Sequence, residues 1–216
     1  YTGDNTDNRD IVNGIDLANE GGMVWTKSRS TNYDHSIADT ERGIYKILRS
    51  SSSAAEVTDY YEMVQFNSDG YRTMWSNNTN TSPQTYASWT FKKQAKFFDV
   101  VTYTGNGVSG RSISHSLNGD VGTILFKRTD STSNWIVWHR SAGGAYGFLD
   151  ATDAFTADSG ISNPTTTAFT IESTINAGWN ASGGTYVAYL FAHDTDASSI
   201  IKCGSYTGTQ ARQFVD

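Results

Sequence analysis

The residues able to do chemistry are few and scattered. Four histidines, His35, His115, His139 and His193, form no His-x-x-x-His or Cys/His pattern of metal-ligand type. Cys203 is the single cysteine, so neither an intrachain disulfide nor a thiolate metal cluster can form. Asp39 and Glu41 would share one face of a strand, as glycosidase carboxylates do; retaining enzymes hold such a pair about 5–5.5 Å apart. Local pairing with Arg42 accounts for the same residues more simply. "DNTDNRD" (Asp4 to Asp10) and "HDTDAS" (His193 to Ser198) are oxygen-rich loops of the kind calcium uses, yet neither has the full spacing of an EF-hand loop. A Walker-type phosphate loop, a Gly-x-Ser-x-Gly elbow and Cys-x-x-Cys are all missing from the sequence. These residues call for no cofactor and no metal.

The aromatic residues say more. "MWSNNTNTS" and "NAGWNASGG" place Trp75 and Trp179 in polar loops, just ahead of Asn80 and Asn180. A ring face flanked by amides is what sugar recognition uses, so Trp75, Trp179, Asn80 and Asn180 are the glycan-binding candidates. A tryptophan in such a loop can instead plug the end of a sandwich, in keeping with the high average burial of Trp. Trp25, Trp89, Trp135 and Trp138 fall in strand-like runs and read as core or inter-repeat contacts.

The chain that must position these residues repeats itself. Tyr-Thr-Gly begins at Tyr1, Tyr103 and Tyr206, with spacings of 103 − 1 = 102 and 206 − 103 = 103. Gly3 falls on Gly105 and Arg9 on Arg111; after a short indel the offset becomes 100, with Gly22 on Gly122, Asn80 on Asn180 and "TYASWTF" on "TYVAYLF". The sequence predicts two units, 1–102 and 103–205, with 206–216 opening a third, an excised piece of a longer array. Duplication also tests the chemistry. His35 aligns with Trp135, and Asp39 and Glu41 align with His139 and Ser141, so none of these groups is kept in both units.

Short β-branched and aromatic runs bounded by Gly, Asn, Asp and Ser predict strands. They fall near Gly22–Lys27, Ser36–Asp39, Ile44–Leu48, Met63–Phe66, Tyr86–Phe91 and Phe97–Tyr103. In the second unit they fall near Thr123–Lys127, Trp135–His139, Tyr146–Leu149, Ala168–Glu172, Tyr186–Ala192 and Ile200–Tyr206. "TYVAYLFA" is apolar on both faces, as a strand covered on both sides would be. Only Ser52 to Val64 has any helical character, and a loop fits it equally well. The fold class expected is all-β, an antiparallel β-sandwich of jelly-roll or concanavalin-like type. The Tyr-Thr-Gly stretch would end one strand and turn into the next unit, Gly105 and Gly208 lending backbone freedom.

Composition narrows the function classes. Aromatic residues at 13% supply ample burial, which argues against disorder. A net charge of −6 argues against sequence-independent nucleic-acid binding. The longest apolar run, "YVAYLFA", falls far short of the roughly 18 residues a membrane helix needs. No signal peptide is visible, and a missing natural N-terminus would hide one.

"FFDVVTYTGNGVSGRSISHSL", then "ILFKRTDSTSNWIVWHR" and "NASGGTYVAYLFA", resemble a repeat module of marine phage virion proteins of the tail-fibre, appendage or capsid-decorating kind. The likeness is close over Phe97 to Phe191 and looser over Tyr1 to Lys96; the usual Pro-Gly before the "hydrophobic–Lys" strand is replaced here by Asp120-Val121-Gly122 and Glu20-Gly21-Gly22. The resemblance implies a concanavalin-like sandwich and a place on the phage particle. It supplies no catalytic residue. The expected function is therefore a non-enzymatic structural component of a virion, with other virion proteins or copies of itself as partners and a host-surface glycan as a further one. A carbohydrate-binding adhesion module of a secreted or cell-surface protein is the alternative, and a polysaccharide-degrading enzyme the third reading.

Overall fold

The computed structural model describes residues 1–157, 160–162, 164–172, 177–196 and 199–209. In the first half the elements are β1 (Arg9–Val12), α1 (Leu17–Glu20), β2 (Gly22–Ser28), β3 (Ser36–Asp39), β4 (Lys46–Ile47), β5 (Val57–Thr58), β6 (Gln65–Asn67), β7 (Gly70–Thr73) and β8 (Tyr86–Lys92). The second half carries β9 (Phe98–Thr104), β10 (Arg111–Ser114), β11 (Val121–Arg128), β12 (Ile136–His139), β13 (Tyr146–Phe148), β14 (Ile161–Ser162), β15 (Ala168–Ile171), α2 (Ala177–Asn180) and β16 (Thr185–Ala192). All the ladders are antiparallel. The protein is an all-β sandwich.

Alternation along the strands stacks four layers. The outer sheet β1-β7-β6 covers one face of β3-β2-β8, and β10-β15-β14 covers one face of β13-β12-β11-β16-β9. On β2, Val24 points outward to Tyr71, Ala38 and Leu17, while Met23 on the opposite face points to the centre. On β16, Ala188 and Leu190 face Phe169 and Ile124, while Val187 and Tyr189 face the centre with Phe98 and Met23. β16 is thus buried on both faces, which is why its sequence has no polar side after Thr185.

The central layer joins the halves. Trp135, fully buried, donates from Nε1 to the Arg49 carbonyl at 2.8 Å and stacks on Tyr189 at 6.1 Å. Arg42 is held by Asp39 (2.6 Å), Glu56 (3.0 Å) and the Tyr189 hydroxyl (3.1 Å), and that hydroxyl donates to Asp39 at 2.7 Å. Burial opposes the charge on Arg42, but the surrounding Asp39, Tyr189 and Glu56 more than offset it, so its pKa rises. A buried charge that is paired and fully bonded in this way is tolerated, whereas removing one partner is strongly destabilising. The stretch from Ser52 to Val64, with its partial helical pattern, is instead an extended clasp. Ser53 accepts from the Ser133 amide (2.9 Å) and from Lys127 Nζ (3.2 Å), and the Glu56 amide donates to Thr129 at 2.9 Å.

The Tyr-Thr-Gly stretches make the same contacts in both halves. Tyr1 stacks on Tyr86 at 5.3 Å and Tyr103 on Tyr186 at 5.1 Å, and the amides of Gly3 and Gly105 donate to Gln84 and Gly184 at 2.7 Å each. The glycine is required by close approach, not by an unusual φ. A Cβ on Gly3 would lie 2.2 Å from the Thr81 carbonyl oxygen, and one on Gly105 2.1 Å from that of Ala181. Tyr206 is exposed, and the strand expected over Ile200–Tyr206 is not formed.

Candidate functional site

Of the four glycan-binding candidates, only Trp75 lies on the surface. It follows β7, is 56% exposed, and its amide points at Asp7 Oδ1 at 3.4 Å. Trp179 is fully buried: the short turn of α2 rotates its ring inward against Tyr146 (5.2 Å) and Phe126 (6.0 Å), and it lies so tightly on Gly160 that a Cβ there would be 2.0 Å away. Trp179 closes the end of the outer sandwich and is not a sugar platform. Asn80 and Asn180 are also buried and fully used. The Asn80 amide accepts from Arg9 (2.8 Å) and Asp4 N (3.2 Å) and donates to Thr6 O (2.9 Å); Asn180 accepts from Asn106 N (3.0 Å) and donates to Val108 O (2.9 Å). Both pin the loop after Tyr-Thr-Gly and cannot orient a ligand. Trp89, expected as a core or inter-repeat contact, is 48% exposed beside Trp25.

The carboxylate pair dissolves in the same way. Asp39 is buried under Arg42 and Tyr189, while Glu41 lies in the following turn and binds Lys93 at 2.6 Å. Glu62 is fully buried and takes a two-pronged bond from Arg49 (2.5 and 2.7 Å), with Ser36 and Asn78 filling its remaining positions at 2.6 Å each. In the loop from Asp4 to Asp10, Asp4 accepts from Thr6 and Asn80 and Asp10 from Arg72 and Asn67, so two of its carboxylates are already occupied. The second oxygen-rich loop lies partly outside the described residues. Each histidine is engaged locally through its ring nitrogen. Nδ1 of His35 accepts from Trp25 Nε1 (2.8 Å), and those of His115, His139 and His193 accept the backbone N–H of Leu117, Ser141 and Cys203.

Two polar clefts open at matching ends of the two outer sandwiches. The first, of about 570 Å³, is lined by Ala18, Asn19, Glu20, Thr40, Phe66 and Lys93 among others. The second, of about 490 Å³, is lined by Asn118, Gly119, Asp120, Arg140, Thr166 and His193, the residues 100 positions further on, with Lys96 and Asp194 added. A shallower depression of about 300 Å³ shares Asp120 and Arg140 with it and brings in Trp138. The first cleft is closed electrostatically: Lys93 pairs with Glu41 (2.6 Å) and Asp99 (3.3 Å), and Glu20 with Lys92 (2.6 Å). Burial opposes the charge on Lys93, yet Glu41 and Asp99 raise its pKa overall. In the second cleft, burial first and then the nearby Arg140 and His193 push the neighbouring His139 imidazole down, which keeps it neutral. Sequence reading missed these clefts because their walls come from separated segments. The offset of 100 was the one signal that could have aligned them.

An all-β sandwich with two polar clefts and no metal-ligand cluster among the described residues is the class this geometry defines. The chain belongs to the DUF7483 family, a domain of unknown function, whose model matches residues 1–215. No curated protein and no solved structure matches it.

Proposed function

We propose that the chain is a non-enzymatic structural component of a phage particle, of the tail-fibre, appendage or capsid-decorating kind. On this reading residues 1–102 and 103–205 are two copies of one β-unit and 206–216 open a third. The observation that carries it is the central layer. Strongly bonded polar groups, Arg42 with Asp39, Glu56 and Tyr189, are invested in locking one half to the other. That suits a stiff module better than a pair of moving domains, since a large apolar interface opposes relative motion. The contacts shared by the two Tyr-Thr-Gly joins support the two-copy reading. Fold alone does not give function, so the test must be made on particles. Gold-labelled antibody against the 216-residue chain should decorate tail appendages or the shell of purified phage. Label confined to host debris, with clean particles, would overturn the proposal.

A carbohydrate-binding adhesion module is the second reading. The specific observation in its favour is Trp75, a large ring held out to solvent beside Asp7. Loss of glycan-array binding in Trp75→Ala, with an unchanged melting temperature, is the outcome this reading expects.

A further inference from the structure

The two clefts form an internal comparison, and they differ in charge. Where the first has Thr40, the second has Arg140, and Lys96 joins it there. Among the described residues neither Arg140 nor Lys96 has an ion pair or a side-chain hydrogen bond, in contrast to Lys93 and Glu20 of the first cleft. The Asp120 carboxylate has no side-chain partner among the described residues either, while Asp194 accepts the Asp196 amide at 3.0 Å. Nδ1 of His193 accepts the Cys203 amide at 3.1 Å, so a neutral imidazole carries its proton on Nε2 and is a donor. Lys96 and Asn118 both hold left-handed backbone, φ 60° and 49°, a conformation non-glycine residues rarely take and one that clusters at binding sites. The half-buried ring of Trp138 walls the adjoining depression.

We propose that the second cleft, and not the first, binds an acidic saccharide: a hexuronate whose carboxylate meets Arg140 and Lys96. A guanidinium and an ammonium lining one cleft suit a carboxylate. Asp120 and Asp194 would repel a small inorganic anion, but they accept hydroxyl donors from a ligand whose charge is confined to one end. Trp138 offers the apolar surface that one face of a pyranose needs. The inference goes beyond the particle reading, and the two fail separately: gold labelling can succeed while this site is empty of function, or the reverse.

The test is calorimetric titration of the full chain, at low salt and pH 7, with galacturonate, glucuronate and mannuronate trimers, and with maltotriose and acetate as controls. At least one uronate trimer should bind with one-to-one stoichiometry, at least tenfold more tightly than maltotriose or acetate. Arg140→Gln and Lys96→Asn should each weaken it at least tenfold, Trp138→Ala should weaken it too, and Lys92→Ala, which frees Glu20 at the wall of the first cleft, should leave it unchanged. The side chains of Arg140 and Lys96 are exposed and without a polar partner among the described residues, so their variants keep the fold, and Asn tolerates the left-handed backbone at position 96. Binding of no uronate, equal binding of maltotriose, or binding untouched by Arg140→Gln overturns the proposal.

Discussion

Phe91 and Phe191, 100 positions apart in the chain, meet edge to face at the centre of the protein, their ring centroids 5.2 Å apart and their planes at 87°. They lie on β8 and β16, at corresponding places in the two inner sheets, so the same face of each half packs against the other. Phe98 completes a triangle with them, 5.5 Å from Phe91 and 5.1 Å from Phe191, with no exposure to solvent. Offset and edge contacts of this kind add to the gain from burial alone.

Tyr189→Phe should destabilise the protein by about 1–3 kcal/mol, because the buried Asp39 carboxylate loses a donor that nothing replaces. Urea denaturation checks it. A neutral result would mean that Arg42 alone satisfies Asp39.

Gly3→Ala and Gly105→Ala should both be strongly destabilising, since the new methyl would overlap a backbone carbonyl that cannot move aside. Gly208→Ala, with nothing within 4 Å, should be neutral within about 0.5 kcal/mol. Melting temperatures of the three variants provide the comparison.

Asn80→Ala and Asn180→Ala should each cost about 1–3 kcal/mol by removing the bonds that pin the loop after Tyr-Thr-Gly, whatever happens to ligand binding. Urea midpoints should show a loss at both sites, the larger at Asn80, which also accepts a charge-assisted bond from Arg9.

Stability should rise between pH 8 and 10. Burial holds the Lys127 ammonium down at about 8, from 10.5 in the unfolded chain. In that window the unfolded state binds the proton that the folded state has released, so raising the pH favours folding. Above pH 10 the trend reverses, because burial raises the pKa of Tyr103 and Tyr189, and their ionisation then favours the unfolded chain. Urea midpoints from pH 7 to 10 should climb in the wild type and not in Lys127→Met, where the thiol of Cys203, its pKa raised by burial, leaves a fall instead.

The long strands were legible because their residues alternate or are apolar throughout. β3 falls where Ser36–Asp39 was expected, and β2, β8, β9, β11 and β16 lie within a residue or two of the expected runs. The short strands β1, β7 and β10, "RDIV", "GYRT" and "RSIS", were not, since half or more of their residues are polar and their pairing depends on partners about 60 positions away. At the candidate site, polar neighbours made Trp179 look exposed, but one turn of α2 decides which way its ring points, and four residues carry no period to read. Trp89 errs in the opposite direction. Its counterpart Tyr189 is stacked on Trp135 and bonded to Arg42, whereas Trp89 stays half exposed beside Trp25.

Face-to-face packing of the two halves into one body is tested most directly by calorimetric unfolding of the full chain, wild type and Phe98→Ala. One transition is predicted, with calorimetric and van't Hoff enthalpies in agreement, and the substitution should move all of it at a cost of about 3–5 kcal/mol. Two separated transitions, with only one displaced by Phe98→Ala, would contradict it.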